Sequence, residues 1–283
     1  MSRGLVVIVA CVILLSVAGL AQTPNVIARA DASFDRWSGT FSFSDYQAQL
    51  LQALALYEEA LPTIDSSALQ TRSHVLNRLA QGYFELGMAY LTDRNEQDEA
   101  YGKGKDYALA SLRLDPAFVE AEKDSFRAAL GLASDIAAVF WYANNLGRYI
   151  NFHLLTAMSG GMKDVQASFE RAIEIDPTYL GGAPWRSLGS FLARVPPFMG
   201  GSQDDAQLAF ANAATIDPTF IENYVNDAEY IAEPAKDWGH FCNQISIALA
   251  AGANQETMAT WPLYNALALQ RAQDLVAEHP CGN

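Results

Sequence analysis

The sequence predicts an all-α chain: a helical-repeat solenoid of about eleven or twelve helices, in which paired helices stack on their neighbours. Three observations predict it. A Leu-Gly pair flanked by apolar residues recurs three times, and an Asp-Pro closes each recurrence. Ala, Leu, Gln and Glu, all good helix formers, dominate the composition. Alternating β-branched runs, the mark of strands, are nearly absent.

The elements follow in chain order. Arg3 precedes an apolar run from Leu5 to Val17, and Gly19-Leu20-Ala21 places small residues where a signal peptidase cuts. Residues 1–21 therefore read as a secretory signal peptide, which makes the protein exported, or periplasmic. Ile8-Val9-Ala10-Cys11 imitates a lipobox, but the apolar run before Cys11 is short and continues past it, so a lipid anchor is not supported by a clear motif. Residues 22–43 show little periodicity and read as a lead-in, and residues 44–283 read as one helical-repeat domain. Ser44 with Gln47 forms a capping box, followed by Leu50, Leu54, Tyr57 and Leu61 on one face. Pro62 stops that helix, and a second runs from about Ala68 to Leu91.

Three matches to the tetratricopeptide pattern come next. The first has Tyr83, Leu86-Gly87 and Tyr90, then Gly104 and Ala108, then Asp115-Pro116. The second has Ala143, Leu146-Gly147 and Ile150, then Val165, Phe169 and Ala172, then Asp176-Pro177. The third has Trp185, Leu188-Gly189 and Leu192, then Ala206, Phe210 and Ala213, then Asp217-Pro218. Glycine lets a second helix approach, the small residue seats it, and Asp-Pro supplies a cap and a first helical residue. Each unit is several residues longer than the pattern requires. The excess is expected in the turns at Thr92-Asp93-Arg94-Asn95, Ser159-Gly160-Gly161 and Pro196 to Gly201. A further helix is expected over about Pro116 to Leu130. Three more follow Pro218: one through Ile221, Tyr224, Val225, Ala228 and Ile231, then others near 235–250 and 262–278.

Composition limits function. Of 283 residues, 51% are hydrophobic, enough for a continuous core. A net charge of −14 without a basic stripe excludes nucleic acid as a partner. The polar residues within Ile136 to Leu155 mark a buried helix pair rather than a membrane span. Motifs for metalloprotease, P-loop or serine-hydrolase chemistry do not occur, and acidic pairs such as Glu58-Glu59 and Asp204-Asp205 sit where solvated charge is the default, so no enzyme, cofactor or metal is expected. Cys242 and Cys281 form an even pair in an exported chain, which favours a disulfide; free thiols and a poorly spaced metal set with His240 and His279 are the alternatives.

Four stretches carry a family resemblance. They are Gly131-Leu132-Ala133-Ser134-Asp135; Trp141-Tyr142-Ala143-Asn144-Asn145-Leu146-Gly147-Arg148-Tyr149-Ile150; Phe169 to Tyr179 with Gly181-Gly182-Ala183-Pro184; and Arg186-Ser187-Leu188-Gly189. In these the chain resembles the TRAP transporter-associated T component, TatT. The resemblance implies a periplasmic helical protein that associates with the solute-binding (P) subunit of a TRAP-type tripartite transporter. It also implies lipid anchoring, a homo-oligomer (a trimer), and a hydrophobic internal channel able to hold a small organic or apolar ligand. A generic scaffold for envelope-protein assembly is the alternative.

The candidate binding residues are Trp141, Asn144, Asn145, Arg148, Trp185, Arg186 and Arg194. The aromatics cluster in the middle units with Tyr142, Tyr149, Phe152, Phe191 and Phe198, as core or as walls of a groove. The amides sit in an apolar stretch, where they either cap a neighbouring helix or meet a ligand. The arginines suit a carboxylate or a partner's backbone.

Overall fold

The computed structural model describes residues 23–34 and 43–281, and these are predominantly helical, with no strand among them. The signal-peptide assignment for 1–21 and the Cys11 motif lie outside the described residues. No helix among the described residues is long and apolar enough to cross a membrane.

α1 spans 23–34, inside the segment expected to be an irregular lead-in. Ile27, Ala30 and Phe34 repeat at helical spacing and are buried against α2 (Phe43–Ala60), which contributes Leu50, Leu54 and Tyr57. Polar residues between those three positions mask the stripe in the sequence.

α3 (Leu69–Ala89) and α4 (Arg94–Leu112) pack along their length. The excess residues of the first unit lengthen these helices, to 21 and 19 residues, and the turn stays short. Asp93 closes it, accepting from the Asn95 and Glu96 backbone N–H groups at 2.9 and 3.1 Å. The helix expected over Pro116 to Leu130 divides into α5 (Pro116–Glu122) and α6 (Phe126–Leu130).

α7 (Ile136–Tyr149) lies across α3 and α4 and also packs on α9 (Met162–Ile175). The short α8 (Leu154–Thr156) and a π-turn at Ala157–Gly161 link them. α10 (Tyr179–Arg194) packs on α9 and α11 (Gln203–Ile216), with a 3-10 turn at Pro197–Met199 between α10 and α11. In these two units the excess does lie in the turns.

α12 (Glu222–Asp227) runs through a π-turn at Ala228–Ala232 into α13 (Glu233–Ala235), which Lys236 ends in a left-handed conformation. α14 (Trp238–Gly252), α15 (Gln255–Thr260) and α16 (Pro262–Glu278) complete the chain. α14 and α16 share a small core with Ile221 and Val225. A Cys242–Cys281 disulfide, with Cα atoms 5.6 Å apart, ties the end of the chain to α14. His240 pairs with Asp227 and His279 with Glu233, so the histidines beside that bridge are engaged separately.

Only one of the three Asp-Pro pairs opens a helix as expected. Asp115 accepts from the Ala117 N–H at 2.8 Å, with Pro116 as first residue of α5. Asp176 and Asp217 instead accept both the backbone N–H and the hydroxyl of a threonine two residues on, Thr178 and Thr219. That closes a turn locally and delays the helix.

Candidate functional site

Helical spacing builds the site. Phe140, Trp141, Asn144, Gly147 and Arg148 fall on one face of α7. Ala183, Arg186, Ser187, Ser190 and Arg194 fall on one face of α10. The two faces flank a half-open cavity of ≈ 230 Å³, bounded also by Met162, Val165 and Phe169 of α9, Phe84 and Met88 of α3, and Phe220, Glu222 and Tyr264. The wall is mainly apolar and aromatic, and its polar groups come chiefly from α7 and α10, a composition suited to a small-molecule chamber.

The polar lining is ordered by its own bonds. Asn144 Nδ2 donates to the Phe140 carbonyl at 2.9 Å, and Ser187 Oγ donates to Asn144 Oδ1 at 3.2 Å, which links α7 to α10. The Asn226 amide donates to Ser190 Oγ at 3.0 Å. Arg186 is 5% exposed and fully engaged. Its Nη1 donates to Asn223 Oδ1 at 3.1 Å, its Nε lies 3.1 Å from Glu222 Oε2, and its guanidinium stacks 3.4 Å from the centre of the Phe220 ring. Burial lowers its pKa, and Glu222 opposes that by favouring the charged form.

The other two arginines differ. Arg148 is half-buried and Arg194 exposed, and neither meets a carboxylate within salt-bridge distance among the described residues. Arg194 stacks loosely over Tyr230, 6.0 Å from the ring centre. Two cations without acidic partners therefore lie on the wall of one cavity. They give the chamber a positive side suited to an anionic group.

The structure thus brings together Trp141, Asn144, Arg148, Arg186 and Arg194. Asn145 and Trp185 stand apart from the cavity. Asn145 is fully buried on the opposite face of α7, where its amide donates to the carbonyls of Ala80 at 3.0 Å and Trp141 at 2.8 Å. Gly104 makes room for it, since a Cβ there would lie 2.2 Å from Asn145 Oδ1. Asn145 clamps α3, α4 and α7. Trp185 is half-buried and falls beside, not on, the α10 stripe.

A second cavity, of ≈ 520 Å³, lies between α3, α7 and the start of α16, and shares Trp141, Leu180 and Tyr264 with the first. Tyr264 belongs to a buried network that the sequence does not announce. Glu85 Oε1 accepts from Tyr264 Oη and Gln81 Nε2, both at 2.8 Å, and Glu85 Oε2 accepts from Tyr46 Oη at 2.6 Å. Burial lifts the Glu85 carboxyl above its ordinary range, against the three hydrogen bonds that favour its ionised form. Leu180, Phe220, Glu222 and Tyr264 reach the site from segments outside the repeat pattern. Gly181-Gly182 beside Leu180 is the one local signal that marked any of them.

No metal-binding cluster of histidine, cysteine or acidic side chains occurs among the described residues. The model of the family TRAP transporter T-component matches residues 91–280 of the chain. No curated protein matches it.

Proposed function

Since the chain belongs to the TRAP transporter T-component family, we propose that it is an exported, tetratricopeptide-like binding protein that associates with the solute-binding subunit of a TRAP-type transporter and holds a small or apolar ligand in its internal cavity. Its role is binding, not catalysis. A signal peptide at 1–21 would deliver it to the periplasm, where it would work as a homo-oligomer, a trimer by family resemblance.

The observation that carries the reading is the cavity between α7, α9 and α10, lined by aromatic side chains and bordered by two arginines without acidic partners. Stacked helix pairs suit a curved docking surface, and the longer turns lie beside the cavity. Leu154, Leu155 and Met158 from one turn and Phe198 from the other are 68–88% exposed. Large apolar side chains that open to solvent mark an interaction surface. A generic scaffold needs an open polar groove and gains no support from an aromatic-walled chamber.

The test is affinity capture of the tagged protein from periplasm, with the bound proteins identified and the small molecules extracted and weighed by mass spectrometry. A solute-binding subunit should co-purify, and Leu155→Glu with Phe198→Glu should weaken its recovery. Capture that repeatedly lacks any solute-binding subunit sinks the reading.

A further inference from the structure

Leu180 has φ 45 and ψ 50, the left-handed region, and is followed by Gly181 and Gly182 with φ 64 and 78. The glycines fit this bend: a Cβ on Gly181 would lie 2.6 Å from Asp217 Oδ2, and one on Gly182 would lie 3.1 Å from the Ala213 Cα. Leucine has no such ease there, because its Cβ crowds the backbone in this conformation. Backbone strain of this kind persists only where surrounding structure holds it, and it gathers at functional sites. The Leu180 side chain packs against the main core and belongs to the wall of both cavities, with Trp141 and Tyr264.

We infer that Leu180 is a specificity-determining septum: it closes the ≈ 230 Å³ chamber against the ≈ 520 Å³ chamber and so sets how long an apolar ligand the protein accepts. The inference rests on the ligand-chamber reading above and adds a residue and a ligand property to it. The ligand class is a flexible apolar chain. Each methylene that finds an apolar wall raises affinity about fourfold, and each that finds none adds nothing. Affinity should therefore climb along a homologous series and level off where the chain meets Leu180.

The probes are the straight-chain alcohols from hexanol to tetradecanol, titrated by calorimetry into the full protein. Wild type should show rising affinity and then a plateau. Leu180→Gly removes the side chain and suits the left-handed backbone, and Leu180→Asn shortens the side chain with a residue that tolerates it. Both should move the plateau to longer chains, with the longest alcohol gaining about tenfold or more, and both should keep the wild-type melting temperature. If wild type binds the short alcohols but the plateau stays in place in both variants, the septum is overturned and the chamber stands. If wild type binds none of the alcohols, the chamber and the septum fall together. A large drop in melting temperature in both variants also overturns the inference, since Leu180 is then an ordinary core side chain.

Discussion

Gly87 on α3 and Gly147 on α7 hold the same place in the Leu-Gly motif and meet different surroundings. A Cβ on Gly87 would lie 2.8 Å from the Tyr101 ring, so α3 and α4 close on each other with no room for a methyl group. A Cβ on Gly147 would meet a Val165 methyl at 3.5 Å, an ordinary contact, and Gly147 borders the cavity. Gly189 on α10 repeats the tight case, 2.8 Å from the Phe210 ring. One motif therefore serves two ends. The flanking joints are sealed by an aromatic ring, and the middle joint, faced by a valine, stays open beside the chamber. The N-terminal region adds a buried network at Glu85 that fastens α2, α3 and α16, while the middle region carries the strained bend at Leu180 and the exposed turns.

That contrast can be broken by substitution. The largest effect is expected at Glu85. Glu85→Leu removes the carboxylate that accepts from Tyr46, Tyr264 and Gln81 and should cost about 3 kcal/mol in urea unfolding; a neutral result would remove the network from the account. Gly87→Ala and Gly189→Ala should each cost about 2 kcal/mol, because the ring beneath must move. Gly147→Ala should instead leave stability unchanged or raise it by up to about 1 kcal/mol, as alanine favours the helix. Equal losses at all three glycines would erase the difference between the joints.

A shallower effect depends on pH. Burial raises the folded-state pKa of Glu85 above its ordinary value of 4.5. From about that pH upward the folded chain keeps a proton that the unfolded chain has released, so the Glu85 contribution to stability falls as pH rises through the raised pKa and is fully present below 4.5. Glu85→Gln should flatten that slope in pH-dependent urea titrations. Asp164 and Asp227, raised chiefly by burial, leave a residual slope of the same sign. The smallest effect is expected at Leu155→Gln and Phe198→Gln, within about 0.5 kcal/mol of wild type, because these side chains are 84% and 88% exposed.

Much of this was legible in the sequence because helix periodicity is local. The α7 and α10 stripes follow from spacing alone, which is why Trp141, Asn144, Arg148, Arg186 and Arg194 emerge together. Asn145 and Asn144 are adjacent, and only the rotation of α7 decides which faces the cavity and which faces Ala80. Trp185 matches the repeat pattern, yet it sits one residue before Arg186 and so turns away from the α10 stripe. Tyr264 contacts Glu85 across 179 positions, and no local pattern encodes such a pairing. Asp176 and Asp217 looked like helix caps because the threonine that diverts each of them carries no periodic signal.

The central claim is that the middle joint is open in order to hold a ligand. Val165→Phe tests it most directly, because Val165 is fully buried, borders the chamber and faces Gly147. Alkanol binding by calorimetry should vanish in that variant while helical circular dichroism is retained. Undiminished binding in a folded Val165→Phe protein would contradict the account.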